Sequence, residues 1–308
     1  MRVVFIGTSK FACPALRAVA AEHEVCFVLT QPDRPVGRHA MLTPPPAKSL
    51  AEELALDVFQ PEKINREEAV ARLAEANADA FVVAAYGQLL RPAVFEIPRL
   101  GTINIHASLL PAYRGAAPVR WAIIRGETVT GISTFLIDKG MDTGEMLLSG
   151  ALDIGPNETA GEIEPRLAEL GASVILDTLA GLESGAITPT PQPEQGISLA
   201  PMLSRKDGHI DWSSSAQTIH NLVRGTNPWP GAWTLIDSER VKIHRSRLTD
   251  IACGSVAAGA VGPRDSGRLF IGTADRLLEI LEIQREGKPR TTGVAFLNGL
   301  HGEARFAA

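Results

Sequence analysis

Short, strand-length runs alternate with stretches of helical spacing through the N-terminal half of this chain, and that alternation restricts the fold more than any other feature. The runs are VVFIG from Val3, VCFVLT from Val25, AFVVAAY from Ala80 and TINIHAS from Thr102. Each is strand-length; the first three lack the in-out polar alternation of a half-solvated strand and predict buried strands, whereas TINIHAS alternates polar and apolar residues and predicts a strand with two unlike faces. Between them the spacing predicts helices over 11–20, with Pro14 in the first turn where proline is tolerated, and over 47–56. A third helix is expected to start at Asn65, capped with the help of Glu68. Strands separated by helices of this length make βαβ units and a mostly parallel sheet.

The pattern changes after about Gly131. ISTFLID and EMLLSGALDI predict two strands joined by the tight link KGMDTG. Thr159 and Glu162 fit a capping box for a helix running to about Glu183, with Gly185 as its terminator. TPTPQP, from Thr188, reads as an extended linker. Beyond it come one short helix, about 215–224, and the strand-like pieces AWTLID, RVKIHR, RLFIGT and LLEILEI, the pattern of a small β-barrel or sandwich. The expected organisation is an α/β, Rossmann-like domain over 1–187, a linker over 188–205 and a smaller β domain over 206–308.

No apolar run approaches the ~18 residues that span a bilayer, and the N-terminus reads as a first strand rather than a signal peptide, so a cytoplasmic protein is expected. Three distant cysteines, with no CxxC, and scattered histidines, with no HExxH, point to neither a disulfide framework nor a metal site. The first strand-loop, FIGTSKFA, has one glycine where a dinucleotide site has G-x-G-x-x-G, so no nicotinamide is expected. A net charge of −5 argues against sequence-blind nucleic-acid binding. The charge is uneven, however: from Arg205 onward there are 14 basic and 11 acidic residues, leaving 16 and 24 before it. That surplus fits either a nucleic-acid contact or a solvated surface.

The densest chemistry lies in TINIHASLLPAYRGAAP, Thr102 to Pro118. Successive strand residues point to opposite faces, so Ile103 and Ile105 can pack inward while Asn104 and His106 share the other face. Ligands of open α/β sheets bind beyond the carboxyl ends of the strands, where this pair falls. The following loop, with two prolines and a glycine, suits presentation of backbone groups to a flat ligand. Taken alone, the N-x-H pair is also compatible with a turn cap and a satisfied edge histidine. Asp142, in KGMDTGE, is either a turn aspartate or a carboxylate serving His106 or an attacking amine. Trp229, between two prolines, either stacks on a base or, as is commoner in such a rigid turn, packs between domains or inside the barrel.

INIHASLLP, the following RGAAP and the later MDTG resemble the formyl-tetrahydrofolate transferase and hydrolase superfamily. FVVAAYGQLL, TQPDRPVGR and IDWSSSAQTIHNLVRGTNPWPGAWT resemble, within it, the methionyl-tRNA formyltransferases. The resemblance spans nearly the whole chain. It implies a Rossmann-like formyltransferase domain followed by an OB-like tRNA-binding barrel, a catalytic trio of Asn104, His106 and Asp142, and a folate site at Ser108, Leu109, Leu110 and Pro111 with Tyr86 and Gly87. It implies tRNA contact by Arg34 and Arg38, although His39 and Ala40 follow where relatives often carry lysines. QLLRP, ending at Pro92, is a second departure, from a more apolar run.

The implied reaction moves a formyl group from 10-formyltetrahydrofolate to the α-amine of initiator methionyl-tRNA. Asn104 would donate to the developing oxyanion, His106 would assist, and Asp142 would hold the histidine and help take the amine proton. A monomer is expected. Three other readings use the same residues differently: formyl transfer to an amino sugar nucleotide, hydrolysis of the formyl-folate, and a non-catalytic RNA-binding protein working through its barrel.

Overall fold

The structure, a computed structural model, describes residues 1–37, 40–300 and 305–307. The chain divides into two compact units that do not follow one cut in the sequence. The first comprises Met1–Gly115, Thr130–Leu152 and Glu164–Ala200; the second comprises Ala116–Val129, Asp153–Ile163 and Pro201–Ala308.

In the first unit the strands are β1 (Arg2–Gly7), β2 (Glu24–Leu29), β3 (Arg34–Val36), β4 (Met41–Thr43), β5 (Val58–Phe59), β6 (Ala80–Ala84), β7 (Thr102–His106), β8 (Val129–Leu136) and β9 (Met146–Asp153). Among the described residues, seven of them form one sheet in the order β5-β2-β1-β6-β7-β8-β9. Pairings from β5 through β7 are parallel and β7 meets β8 antiparallel. Helices α1 (Cys13–Glu22), α2 (Pro46–Glu53), α3 (Glu67–Glu75) and the short α4 (Pro92–Phe95) connect the parallel strands. Parallel strands are covered on both faces, and Val3 through Ile6 are accordingly fully buried. On one face Val4, Ile6, Phe27, Leu29, Phe81 and Val83, spaced by two in each strand, form a single apolar cluster with Ile64 and Leu73.

Three local expectations are revised. The helix expected at Asn65 begins at Glu67 with no side-chain cap, because the Asn65 amide is engaged elsewhere: it donates to the Leu89 carbonyl (2.8 Å) and accepts from the Arg91 N–H (2.9 Å). The loop after β2 contains the hairpin β3–β4, with Met41 and Leu42 exposed. The TPTPQP stretch does not run free: Thr190 exchanges backbone hydrogen bonds with Met146 at 2.7 and 3.0 Å.

The long helix α6 (Ala160–Ser184) has the expected box at its start. The Glu162 carboxylate accepts from both the Thr159 N–H (2.9 Å) and its hydroxyl (2.8 Å). The helix stops at Gly185, whose φ of 71° is cheap only for a residue without a β-carbon.

The second unit contains α5 (Pro118–Ile124), α7 (Ala216–Gly225), strands β10 (Ala232–Ile236), β11 (Glu239–Arg247), β12 (Phe270–Gly272), β13 (Leu277–Arg285), β14 (Thr291–Thr292) and β15 (Phe306–Ala307), and α8 (Gly293–Asn298). The strands form a curled antiparallel sheet in the order β12-β13-β11-β10-β15, with β14 on β13. Its core joins Trp212, Ile219 and Val223 to Ile236, Ile243, Ile280 and Phe306. Helix α5 belongs here: a β-carbon at Gly225 of α7 would lie 2.5 Å from the Ile124 side chain.

Candidate functional site

Strand β7 presents the site. Ile103 and Ile105 are buried, and Asn104 and His106 lie on the opposite face, paired in register with Phe135 and Ser133 of β8. His106 is itself buried, its ring edge-on to Phe135 at 6.3 Å between centroids. Asn104 is half-buried, and no hydrogen bond engages its amide among the described residues. That amide is therefore available to a ligand.

His106 Nε2 lies 3.0 Å from the Tyr113 carbonyl oxygen. A carbonyl only accepts, so Nε2 carries the proton. Nδ1 then faces Asp142 Oδ2 across 3.7 Å, too long for a hydrogen bond. Burial pulls the His106 pKa below 6.5; the Asp142 carboxylate and the bond to Tyr113 oppose this and do not reverse it. The ring is neutral at pH 7, with a lone pair on Nδ1 beside a carboxylate.

The loop after β7 is fixed from two sides. The Ser108 hydroxyl donates to the Ala112 carbonyl (2.7 Å), and Ser133 Oγ accepts from the Leu110 N–H (3.0 Å) while donating to the Ser108 carbonyl (2.8 Å). The Tyr113 N–H donates to Ser198 Oγ (2.9 Å), and Arg114 pairs through its backbone with Ser198 and Ala200. Gly115 is required where it stands: a β-carbon would lie 2.7 Å from the Ala200 carbonyl oxygen. Its N–H donates to Asp142 Oδ2 at 2.8 Å, so one carboxylate oxygen serves both this loop and the histidine.

Asp142 adopts a left-handed φ of 54° in a turn tied by Asp138, whose carboxylate accepts from the Thr143 hydroxyl (2.7 Å) and the Gly140 N–H (2.9 Å). The three residues singled out from sequence, Asn104, His106 and Asp142, thus fall in one unit, with the histidine between the Tyr113 carbonyl and the Asp142 turn.

The other candidates distribute unevenly. Ser108 and Leu110 are buried and Leu109 and Pro111 half-buried, with the Leu109 side chain occupying the space over Gly131. The Tyr86 ring is buried in the apolar cluster, and burial pushes its phenol pKa up to about 12. Its carbonyl accepts from Thr8 Oγ1 (3.0 Å) and Gln31 Nε2 (3.2 Å), and Gly87 follows at φ 90°. Gln88, in the departing QLLRP segment, binds the Ile64 N–H and the Glu62 carbonyl. Arg34 is exposed on β3, 3.4 Å from Glu62. Arg38 lies outside the described residues.

Sequence reasoning missed the groups that hold the trio: the Tyr113 carbonyl, Ser133, Ser198 and Gln192. The one signal was a glutamine placed between two prolines in TPTPQP, where an extended segment fixes its direction. Among the described residues no cluster of His, Cys, Asp or Glu could hold a metal, and no helix is long and apolar enough to cross a membrane.

The second unit carries a groove of about 360 Å3 bounded by Trp229, Trp233, Arg205, Arg240, Lys242 and Arg285, among others. Trp229 is 44% exposed rather than packed away. Arg240 lies over the Trp233 ring, 4.3 Å from its centroid. Arg285 is paired with Glu239, whereas Arg205, Arg240 and Lys242 have no ion pair among the described residues.

Comparison with known proteins accords with both halves. The family described as "Formyl transferase" matches residues 1–179, and "Formyl transferase, C-terminal domain" matches 202–301. A methionyl-tRNA formyltransferase of Acidobacterium capsulatum is 47% identical over 313 residues, covering 100% of both chains. One of Solibacter usitatus is 46% identical over 97% of this chain and 96% of its own. Among solved structures, the fold is shared with a sugar 3N-formyl transferase, WlaRD, determined in the presence of dTDP and 5-N-formyl-THF (TM-score 0.68, 18% identity, 94% and 99% coverage). It is shared also with HypX of Aquifex aeolicus in complex with tetrahydrofolic acid (TM-score 0.63, 18% identity), of which this chain spans 47%.

Proposed function

The chain belongs to the methionyl-tRNA formyltransferase family, and from that premise we propose that it transfers the formyl group of 10-formyltetrahydrofolate to the α-amine of initiator methionyl-tRNA in the cytosol. The observation that carries the reading is the neutral, buried His106 held between the Tyr113 carbonyl and the Asp142 carboxylate, on the strand face it shares with the unengaged amide of Asn104. Full-length identity of 46–47% to methionyl-tRNA formyltransferases selects the acceptor over an amino sugar. The cationic, aromatic groove of the second unit is of the kind that tracks a nucleic-acid backbone and stacks a base.

The donor supplies the formyl carbon, and the chain supplies positioning and proton management. In the balanced reaction the amine nitrogen bonds to the formyl carbon, the carbon–nitrogen bond to the folate breaks, and the proton lost by the amine passes to the folate nitrogen. Asn104 supplies an N–H donor to the formyl oxygen as it gains negative charge, an interaction worth roughly 3–4 kcal/mol in well-studied sites. Nδ1 of His106 accepts the proton, and the cation so formed is stabilised by Asp142 at 3.7 Å. Because an aminoacyl α-amine has a pKa at or below ~8, much of it is already neutral near pH 7 and a modest base suffices. Ser108, Leu109, Leu110 and Pro111 form the wall for the folate ring, with Tyr86 and Gly87 offering backbone groups; Arg34 and Arg38 approach the tRNA.

The test is a panel of acceptors with the purified protein and 10-formyltetrahydrofolate: methionyl-tRNA, an amino sugar nucleotide, or none. Folate turnover with methionyl-tRNA alone is the expected result. Turnover with the sugar nucleotide alone, or formate release without acceptor, would replace this reading by the corresponding one.

A further inference from the structure

We infer that Gln192 is a positioning residue for the formyl-transfer site, fixing the Asp142 turn against the loop that carries Arg114. Gln192 lies in the segment whose sequence reads as a linker, and its side chain reaches back to the site. Nε2 donates to the Asp142 carbonyl (2.9 Å) and to the Gly144 carbonyl (2.9 Å). Oε1 accepts from Arg114 Nε (3.1 Å) and Nη2 (2.6 Å). The orientation of the amide follows from its partners: carbonyls only accept and a guanidinium only donates, so the amide cannot be flipped without four mismatched contacts. Both donors and both acceptor positions are filled, which leaves no capacity for a ligand. The role is therefore internal.

What the amide holds is the pair of segments that set the distance between Asp142 and His106. Asp142 sits in a left-handed conformation that a non-glycine residue keeps only when its surroundings impose it. Gln192 grips the backbone on either side of the Thr143 peptide, at residues 142 and 144, while Gly115, next to Arg114, donates to Asp142 Oδ2. The charge-assisted bonds from Arg114 polarise the amide and strengthen its donation to the turn. A loosened turn would let the carboxylate swing from Gly115 and His106 by the order of 1 Å, a displacement that can cost about a hundredfold in rate.

This inference rests on the formyltransferase reading, and its test separates the two. Gln192→Leu keeps the bulk and removes every hydrogen bond; Gln192→Glu keeps the acceptor for Arg114 and sets a carboxylate against two carbonyl oxygens. Both are assayed for formylation of methionyl-tRNA, alone and in an Asp142→Asn background, with circular dichroism as the check on folding. In each variant kcat is expected to fall 10- to 100-fold with KM for folate and tRNA within about twofold. In the Asp142→Asn background the further fall is expected to be under threefold, because the group being positioned is already gone. Unchanged kcat in either folded variant, or losses that multiply in the double variant, would overturn the inference, as would a loss of activity matched by loss of folded protein in both. Absence of formylation by the unmodified protein would instead refute the underlying reading.

Discussion

His106 gives its two ring nitrogens different work. Nε2 is spent on a backbone carbonyl, which fixes the tautomer, and Nδ1 is left facing Asp142. A sample with 15N-labelled histidine should therefore show His106 as the Nε2–H tautomer at pH 7, titrating with a midpoint below 6.5; an Nδ1–H ring or a midpoint above 6.5 would contradict the site described here. Asn104→Ala should lower kcat roughly 10²–10³-fold with little change in KM, the signature of a donor used only as charge develops. Parity with the unmodified enzyme would remove Asn104 from the chemistry. At this scale the sequence made Asn104 and His106 legible, because strand alternation alone puts residues two apart on one face. It could not set the separation of His106 and Asp142. That distance depends on a left-handed turn and on hydrogen bonds between residues far apart in the chain, Tyr113 with Ser198 (85 positions apart) and Gln192 with Asp142 (50 positions apart).

Among elements, the buried parallel strands were the most legible, since burial on both faces leaves continuous apolar runs in the sequence. The hairpin of β3 and β4 was not: its strands are only three residues each, one contains a proline, and nothing in their alternation distinguishes them from a loop. Asn65 illustrates a different failure, a capping residue whose amide is taken by the neighbouring loop at Leu89 and Arg91. The start of α6 held because Thr159 and Glu162 meet each other locally. Glu162 also pairs with Arg245, and these bonds, the Arg245 contact foremost and then the Thr159 N–H, hold its pKa at about 2 against an ordinary 4.5. A depressed carboxyl pKa means stability that is present above 4.5 and lost as pH falls towards 2. Because the carboxylate is 44% exposed, solvent screens much of this. Glu162→Gln should cost about 1 kcal/mol or less at pH 7 by thermal melts, with the difference vanishing near pH 2. A gap that persists at low pH would place the loss in packing instead of charge.

Across the whole molecule, His106, His220 and His244 are all buried with pKa values lowered chiefly by desolvation. An unfolded chain binds a proton at each below 6.5 that the folded chain refuses. Stability therefore falls as pH drops from 6.5 towards the folded-state values, by up to about 1.4 kcal/mol per pH step for each histidine. Thermal midpoints measured from pH 7 down to 5 should decline, and a flat profile would contradict the burial of these rings. The −8 and +3 division of charge before and after Arg205 has its counterpart in the groove of Trp229, Arg240 and Lys242. Replacing Arg240 and Lys242 together by glutamate should raise KM for methionyl-tRNA severalfold, flatten its dependence on salt and leave KM for folate unchanged; an unchanged salt dependence would take the groove out of tRNA binding. The most direct measurement follows the formyl carbon itself. With a donor labelled in that carbon and one turnover of methionyl-tRNA, the label should appear on the methionine nitrogen in equal amount to the tetrahydrofolate released, and should fail to appear with His106→Ala while tRNA still binds. Label recovered as free formate, or transfer undiminished in His106→Ala, would contradict the assignment of this site as a formyltransferase.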